Sequence, residues 1–169
     1  GHCPDTTNLV ADVGTFKPTF ILSVPRVLEK IYNSADAKAG KGVKLKLFRW
    51  AAKTAITYSR ELEKPGGPNA ALKIQHRLAY RLVLRKITDL LGGNLEYIVS
   101  GGAPLGTRLG HFYRGAGLTV MEGYGLTETT APLCVNLPKK SKIGTVGVAF
   151  PQTSARISET DEIEVFGPH

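Results

Sequence analysis

Long apolar runs and cysteines are both scarce in this chain of 169 residues. No apolar run approaches the roughly 20 residues that a membrane-spanning helix needs. Cys3 and Cys134 lie far apart and match no metal-binding spacing, so we expect a cytoplasmic protein with two incidental thiols. A phosphate loop of the glycine-lysine type is also missing, because Gly40-Lys41-Gly42 lacks the required spacing and does not follow a predicted strand.

Catalytic constellations built on histidine are missing as well. His76 and His111 both lie in predicted helices, and no Ser/His/Asp or Cys/His arrangement can be assembled around either of them. We therefore expect a structural or solvated role for both side chains and not a catalytic one.

Basic charge is what the chain has in excess. Its 22 lysines and arginines outnumber its 14 acidic residues, which gives a net charge of +8. Such a charge suits a nucleic acid, an anionic membrane surface or anionic metabolites such as nucleotides, and it is equally consistent with an ordinary solvated surface. Hydrophobic residues make up 42% of the chain, so a globular core is expected.

The first half of the chain predicts one strand among helices. Pro4 to Val13 is expected to form a short helix. The apolar run from Thr19 to Val24 predicts a strand that is buried on both faces. Pro25 suits the first turn of a helix that continues to Asn33.

Two long helical patterns follow. The first runs from Leu45 to Leu62, and the second ends at Gly92-Gly93. The apolar face expected for the second helix consists of Ile74, Leu78, Leu82, Ile87 and Leu91. The basic residues expected to face solvent are Lys44, Lys46, Arg49, Lys53, Lys73, Arg77, Arg81, Arg85 and Lys86.

The second half of the chain predicts further strands. Leu95 to Val99 and Leu118 to Met121 predict two buried strands, with a glycine loop and a helix between them. A hairpin is expected from Thr153 to Phe166. We therefore predict an α/β fold, in which a partial sheet flanked by helices (about residues 3–131) is followed by a short β-rich segment (about residues 132–169).

Two loops after predicted strands combine residues that suit a nucleotide. The small residues Gly101, Gly102, Ala103 and Pro104 expose backbone amides, and a helix that opens near Pro104 adds the positive end of its dipole. The hexapeptide Tyr124-Gly125-Leu126-Thr127-Glu128-Thr129 holds a ring for a base, hydroxyls for phosphate and a carboxylate for Mg²⁺. Ligands of open α/β sheets bind beyond the carboxyl ends of the strands, so both loops are expected to face one cleft.

Each of these segments also has a plainer interpretation. The glycine loop on its own is typical of a strand-to-helix turn. The hexapeptide on its own is consistent with a capped turn, with Thr127 as the N-cap and Tyr124 in the core. The segment from Gly144 to Pro151 is either a tight apolar turn or the wall of a pocket, and the residue pattern leaves both open.

Together, the segments from Val99 to Leu105 and from Tyr124 to Thr129 resemble the adenylate-forming superfamily of acyl-CoA synthetases, luciferases and peptide-synthetase adenylation domains. Phe20 to Tyr32, the two long helices and Ile143 to Pro151 are most similar to the long-chain fatty acyl-CoA synthetases. The resemblance implies an incomplete piece of the large N-terminal domain of such a ligase. It also implies ATP, Mg²⁺ and coenzyme A as cofactors or co-substrates.

The resemblance further implies roles for individual residues. Tyr124 would stack on adenine, Thr127 would bond the α-phosphate, and Glu128 would ligate Mg²⁺. The other residues implied to surround the nucleotide are Gly101, Gly102, Ala103, Pro104, Glu122, Gly123, Gly125 and Leu126. The residues implied to wall an acyl pocket are Gly144, Val146, Gly147 and Val148.

The chain also departs from the family's pattern. The upstream phosphate loop, the downstream Thr-Gly-Asp segment and the domain with the adenylation lysine are not in this sequence, and Gln152 stands where many relatives have glycine. We therefore expect a middle piece of a larger enzyme that does not turn over by itself. The implied partners are fatty acid, ATP and CoA, while self-association and a peripheral membrane contact stay open.

Two alternatives remain at this stage. The first is another ligase of the same superfamily, specific for aryl acids or forming fatty-acyl-AMP. The second is a basic nucleic-acid-binding module, which the charge suits, although neither a helix-turn-helix nor an RNA-recognition signature is present, so no nucleic-acid partner is expected.

Overall fold

The computed structural model describes residues 8–138 and 140–168, and its helices and strands form an α/β architecture. The helices are α1 (Leu9–Phe16), α2 (Pro25–Lys38), α3 (Val43–Glu61), α4 (Ala70–Ala79), α5 (Arg85–Leu90) and α6 (Thr107–Gly115). A π-helical segment (Tyr80–Leu84) joins α4 to α5, and a 3₁₀ turn spans Thr127–Thr129. The strands are β1 (Phe20–Ser23), β2 (Tyr97–Ser100), β3 (Thr119–Tyr124), β4 (Cys134–Val135), β5 (Val148–Ala149), β6 (Ser154–Ile157) and β7 (Ile163–Phe166).

One sheet organises most of these strands, in the order β1-β2-β3-β4-β5. Its first three strands are parallel, whereas β4 and β5 add antiparallel to β3. Ser23 lies opposite Ser100, which in turn lies opposite Glu122, so β1, β2 and β3 present their carboxyl ends at the same edge. The strands predicted around Ile21, Ile98 and Val120 are confirmed, as is the hairpin, whose strands are β6 and β7.

The core lies between the sheet and the helices. Its largest fully buried side chains are Leu28, Leu84, Leu91, Ile98, Phe112, Tyr113 and Leu133. The Tyr113 hydroxyl donates a hydrogen bond of 2.6 Å to the Leu28 carbonyl, which ties α6 to α2. Burial raises the pKa of Tyr113, so its hydroxyl stays protonated and can donate this hydrogen bond.

Small residues bring α3 and α6 into close contact. Ala51, Ala52 and Ala55 of α3 are buried, and Gly115 of α6 lies against the backbone of Ala55. A Cβ atom added at Gly115 would lie 2.8 Å from the Cα of Ala55, closer than two carbon atoms can approach. The crossing of these two helices therefore depends on the missing side chain at residue 115.

A buried polar cluster lies beside this helix crossing. The Nδ1 atom of His111 is 3.0 Å from the Ser59 hydroxyl, and Arg114 Nε donates to the same hydroxyl over 2.7 Å. Arg114 also donates to the Ser59 carbonyl and forms an ion pair of 3.0 Å with Glu63. Since Arg114 already donates to the hydroxyl, the simplest arrangement has Ser59 donating to a neutral His111. This supports the structural role expected for His111.

His76 has a similar structural role in α4. Its Nε2 atom bonds the Gly115 carbonyl over 2.6 Å, and its ring stacks on Tyr58 with centroids 3.9 Å apart. The side chain therefore holds α4 against both α3 and α6.

Two of the burial expectations are wrong. Phe20 and Leu22 of β1 are 53% and 73% exposed, because the described residues place no layer over that face of the strand. The face expected for the second long helix is divided: Ile87 and Leu91 are buried, but Ile74, Leu78 and Leu82 lie in solvent.

The division follows from the spacing of these residues, because the five-residue step from Leu82 to Ile87 turns an α-helix through about 140° and places the two side chains on different faces. The π-helical segment has the opposite effect on Ala79 and Leu84, which are also five residues apart and both face the core. Its wider turn advances each residue through a smaller angle than an α-helix does, so it changes the phase of the helix between α4 and α5. Ala79, Leu84, Ile87 and Leu91 then all reach the core.

The nine basic residues expected in solvent are all exposed, as predicted.

The remaining predicted helices are present, but their first or last residues differ from the prediction. The helix expected from Pro4 to Val13 is α1, which spans Leu9–Phe16, and residues 1–7 lie outside the described part of the chain. Pro25 occupies the first turn of α2, which extends to Lys38 instead of Asn33. Among the described helices, none combines the length and the apolar character that crossing a bilayer requires.

We expect the Gly115→Ala substitution to destabilise the fold by about 1–3 kcal/mol, because the new Cβ overlaps the Ala55 backbone, which cannot move alone. Gly110→Ala in the same helix is the matched control, since its Cβ would meet only the side chain of Ile143. Urea denaturation of the complete protein that carries this chain measures both. Equal losses for the two variants would contradict the close helix crossing.

We expect the free energy of unfolding to fall as the pH drops below about 6.5, the ordinary pKa of histidine. Burial lowers the pKa of His111, and the Arg114 cation lowers it further against the opposing effect of Glu63. As the pH falls, His111 therefore binds a proton in the unfolded chain before it does so in the folded chain, which favours unfolding. Denaturation at several pH values should show a smaller slope between pH 7 and 5 for His111→Asn, whose amide oxygen can still accept from Ser59. An unchanged slope would disprove the contribution of His111.

Candidate functional site

The two loops singled out in the sequence meet at the carboxyl ends of β2 and β3. Ser100 and Glu122 are direct neighbours in the parallel ladder. The glycine loop begins directly after Ser100, whereas β3 continues past Glu122 to Tyr124, where the hexapeptide begins. A Cβ atom added to Gly101 would lie 3.5 Å from the carbonyl oxygen of Gly123, so the two backbones are in contact. The expectation that both loops share one edge of the sheet is confirmed.

The glycine loop is held at both ends, and its amino end is fixed by the Gly101 amide, which donates a hydrogen bond of 3.3 Å to the Ser23 carbonyl. Its carboxyl end is fixed by Leu105, whose side chain is buried and whose amide donates a hydrogen bond of 3.0 Å to Glu122 Oε2. Gly102, Ala103 and Pro104 between these anchors are exposed. The loop therefore presents small residues to solvent on a backbone that Glu122 and Leu105 hold in place.

The helix after this loop starts later than expected. It was expected to open near Pro104, but α6 begins at Thr107, after Gly106. The Leu105 side chain is buried in the core. Gly106 has a φ of 82°, a left-handed conformation that glycine adopts without strain. A right-handed helix cannot include this conformation, so it begins after Gly106. The positive end of the α6 dipole therefore lies beyond Leu105, several residues away from Gly101.

The hexapeptide leaves the sheet at Tyr124, the last residue of β3. Tyr124 pairs with Cys134 of β4 and is half-buried. Gly125 packs against Ala131 so closely that an added Cβ would lie 2.7 Å from the Ala131 Cβ. No other residue fits at this position without moving the turn.

The 3₁₀ turn that follows presents the polar side chains. Thr127 and Glu128 are exposed on it. Thr129 stabilises the turn, because its hydroxyl accepts a hydrogen bond of 3.1 Å from the Leu126 amide. The segment is a capped turn, as the plainer interpretation predicted, but Thr127 is not its N-cap: Leu126 holds the cap position and Thr129 supplies the hydroxyl.

The segment from Gly144 to Val148 starts beside the first residue of α6 and ends in β5, where Val148 pairs with Val135 of β4. A Cβ atom added to Gly144 would lie 2.9 Å from Thr107 Cγ2, and Gly147 lies against the backbone of Val135 and Asn136 with no space for a side chain. Val146 and Val148 are exposed. The segment combines a tight turn with two free apolar side chains, and its role as an acyl-pocket wall stays a prediction.

Asn136 is a residue that the sequence reasoning missed. It is 2% exposed, its amide nitrogen donates to the Thr145 carbonyl, and its Oδ1 accepts from the Lys142 amide over 3.1 Å. Its backbone amide also donates to the Glu122 carbonyl over 2.9 Å. Asn136 therefore fastens the Gly144 segment to β3. Its position as a lone polar residue between Val135 and Leu137 was the available signal.

Two further polar groups at this edge also went unnoticed. The hydroxyls of Ser23 and Ser100 are buried and have no hydrogen-bond partner among the described residues. They terminate β1 and β2 and lie opposite each other, and Ser100 directly precedes the glycine loop. A buried hydroxyl without a partner is costly, so these groups favour an additional polar partner at this end of the sheet.

The site can accommodate a magnesium ion only in company with other ligands. No cluster of three or more metal-binding side chains occurs within residues 8–138 and 140–168. Glu128 offers a single exposed carboxylate. Mg²⁺ commonly takes one or two protein carboxylates together with waters and substrate phosphates, so Glu128 fits an ion that arrives with a nucleotide.

Comparison with known proteins identifies relatives over the whole chain. The family model described as AMP-binding enzyme matches residues 1–169. The long-chain-fatty-acid–CoA ligase FadD15 of Mycobacterium bovis is 48% identical over 99% of this chain and 28% of its own length. Long chain acyl-CoA synthetase 3 of Arabidopsis thaliana is 36% identical over 94% of this chain and 24% of its own length. The chain thus spans about a quarter of the length of these curated relatives.

Solved structures share the fold at low sequence identity. A benzoate CoA ligase from Burkholderia xenovorans aligns over 99% of this chain and 26% of its own, with a TM-score of 0.53 and 16% identity. Apo MatB from Rhodopseudomonas palustris aligns over 97% of this chain and 25% of its own, with a TM-score of 0.51 and 23% identity. These likenesses establish the α/β architecture.

We expect Glu122→Ala to release the glycine loop, because the Leu105 amide loses its charged acceptor. A hydrogen bond to a charged group contributes about 1.5–3 kcal/mol, so amide exchange at Leu105 should become about tenfold faster or more. Glu122→Gln keeps an acceptor oxygen and should give a smaller increase. Hydrogen exchange read by NMR or mass spectrometry measures both, with Glu96→Ala as a control at the start of β2. Unchanged exchange in Glu122→Ala would refute the anchoring role.

Proposed function

The chain belongs to the AMP-binding enzyme family, and on that premise we propose that it forms part of the nucleotide site of an ATP-dependent long-chain fatty acid–CoA ligase. The observation that carries the proposal is the contact between the glycine loop after β2 and the end of β3, from which the second loop starts: Gly101 contacts Gly123, and the Leu105 amide bonds Glu122. Small exposed residues on one loop and an aromatic, hydroxyl and carboxylate group on the other then converge at one edge. The identity with FadD15 favours a long-chain fatty acid as the substrate.

The nucleotide would lie across both loops. Tyr124 would stack on the adenine, while Gly101, Gly102 and Ala103 would line the opposite side of the base, and the exposure of the last two is consistent with this role. Thr127 would donate a hydrogen bond from its hydroxyl to an α-phosphate oxygen. Pro104, Glu122, Gly123, Gly125 and Leu126 would shape the surrounding backbone, and Gly144, Val146, Gly147 and Val148 would wall the acyl pocket.

The reaction proposed for the complete enzyme has two steps. A fatty-acid carboxylate oxygen bonds to the α-phosphorus of ATP as the bond to the bridging oxygen breaks, which releases pyrophosphate and leaves an acyl-adenylate. The sulfur of CoA then loses its proton and bonds to the acyl carbon, and the bond from this carbon to the phosphate oxygen breaks, which releases AMP. The residues of this chain would position the reactants and stabilise charge without forming a covalent bond.

Magnesium is part of this proposal. Bound with the nucleotide, it would neutralise phosphate charge, and Glu128 would be the carboxylate that holds it on the 3₁₀ turn. The exposure of Glu128 and its place beside Thr127 support this assignment.

We also propose a peripheral contact of the complete enzyme with lipid. Long-chain fatty acids partition into membranes, and the basic surface of this chain is suited to anionic headgroups.

We expect Glu128→Ala to lower fatty-acid-dependent ATP–pyrophosphate exchange on the order of a hundredfold or more, since a charge-stabilising ligand of the transition state is lost. The assay uses the complete protein that carries this chain. Glu159→Ala, an exposed acidic residue in the β6–β7 turn, is the matched control and should exchange at the normal rate. Exchange that survives in Glu128→Ala would remove the magnesium role from this residue.

The same assay addresses the acid substrate. Palmitate, a medium-chain acid and benzoate are compared as the activating acid, and the long-chain ligase should prefer palmitate. A preference for benzoate would overturn the long-chain assignment in favour of an aryl-acid ligase.

A further inference from the structure

The outward face of α4 and the π-helical segment carries apolar side chains that the fold does not bury. Ile74, Leu78 and Leu82 are 61%, 51% and 50% exposed. They recur every four residues, so they form one row along the helix. The core side of the same helix is occupied by Ala79 and Leu84, so this row points away from the core.

A row of basic residues runs beside the apolar row. Lys73, Arg77 and Arg81 each precede one apolar residue by a single position, and all three are exposed. Between residues 70 and 90 the chain has five lysines and arginines against one acidic residue. The face therefore combines apolar side chains with strong positive charge along its whole length.

The apolar row continues into a groove between α2, α3 and α5. The groove has a volume of about 620 Å³, and Leu47, Leu82 and Leu90 supply part of its apolar lining. Three lysines also line it, Lys38, Lys44 and Lys86, against the single carboxylate of Asp89. The groove thus repeats the chemistry of the helix face.

We propose that this outward face, formed by Ile74, Leu78 and Leu82 with the adjacent basic row, docks the protein on a membrane that carries anionic lipids. The inference rests on the peripheral contact proposed above and assigns it to a surface. Apolar side chains can enter the boundary between headgroups and acyl chains while neighbouring arginines and lysines bind lipid phosphates. The groove behind Leu82 offers apolar space at the same surface.

Charge argues against a second copy of the chain as the occupant. A symmetric contact between two such faces would bring their basic rows together, with few carboxylates to compensate them. Anionic lipid complements both the charge and the apolar row.

The test measures binding of the complete protein to sedimenting vesicles of phosphatidylcholine, with and without phosphatidylglycerol. We expect binding only to the anionic vesicles and weaker binding at raised salt. Arg77→Gln with Arg81→Gln, and separately Ile74→Gln with Leu78→Gln and Leu82→Gln, should each reduce the bound fraction on the order of tenfold. Glutamine is a good helix former, so these changes should leave α4 folded.

Lys140→Gln with Lys142→Gln removes the same charge outside the helices and should bind normally. Circular dichroism checks the fold, and pyrophosphate exchange measures activity in detergent independently of vesicle binding. A wild-type protein that ignores anionic vesicles overturns the membrane contact itself. Equal binding by wild type and both α4 variants, or an equal loss in the Lys140/Lys142 control, overturns the assignment to this face. A dimer that the apolar-row variant converts to a monomer would assign the face to a second copy instead.

Discussion

The parallel pairing of β2 with β3 is the constraint on which the rest of the site depends. Parallel strands end at the same edge of a sheet, so the register that sets Ser100 beside Glu122 also sets the two loops beside each other. Glu122 adds a direct bond to the Leu105 amide, and Asn136 ties the Gly144 segment to the same strand. The helices contribute indirectly: α6 connects β2 to β3, and its contact with α3 at Gly115 fixes where that connection lies.

Much of this arrangement could be predicted from the sequence. Apolar runs around Ile21, Ile98 and Val120 mark the parallel strands, and glycine pairs and prolines mark where helices begin or end. Because parallel strands share an edge, the loops at Gly101 and Tyr124 could be placed together before any coordinates. The exposed basic residues followed from their positions between apolar residues on a helix.

Other features depend on contacts that a local pattern does not contain. The exposure of β1 depends on what covers it, and the run Thr19 to Val24 is apolar whether or not a layer is present. The start of α6 depends on Leu105 finding the core and on the conformation of Gly106. The role of Asn136 depends on hydrogen bonds to residues that are distant in sequence. The Ser23 and Ser100 hydroxyls stand out only because the described residues provide them with no hydrogen-bond partner.

The π-helical segment from Tyr80 to Leu84 has a consequence for comparing sequences of this family. It divides one continuous helix into two halves with independent phases, the first ending at Ala79 and the second carrying Ile87 and Leu91 inward. A relative that lacks one residue in this stretch would rotate one half relative to the other, although both halves would still align well. A one-residue gap in a sequence alignment at this point therefore indicates that the two helix halves are rotated relative to each other. Residues on the two sides of such a gap cannot be matched by their spacing alone.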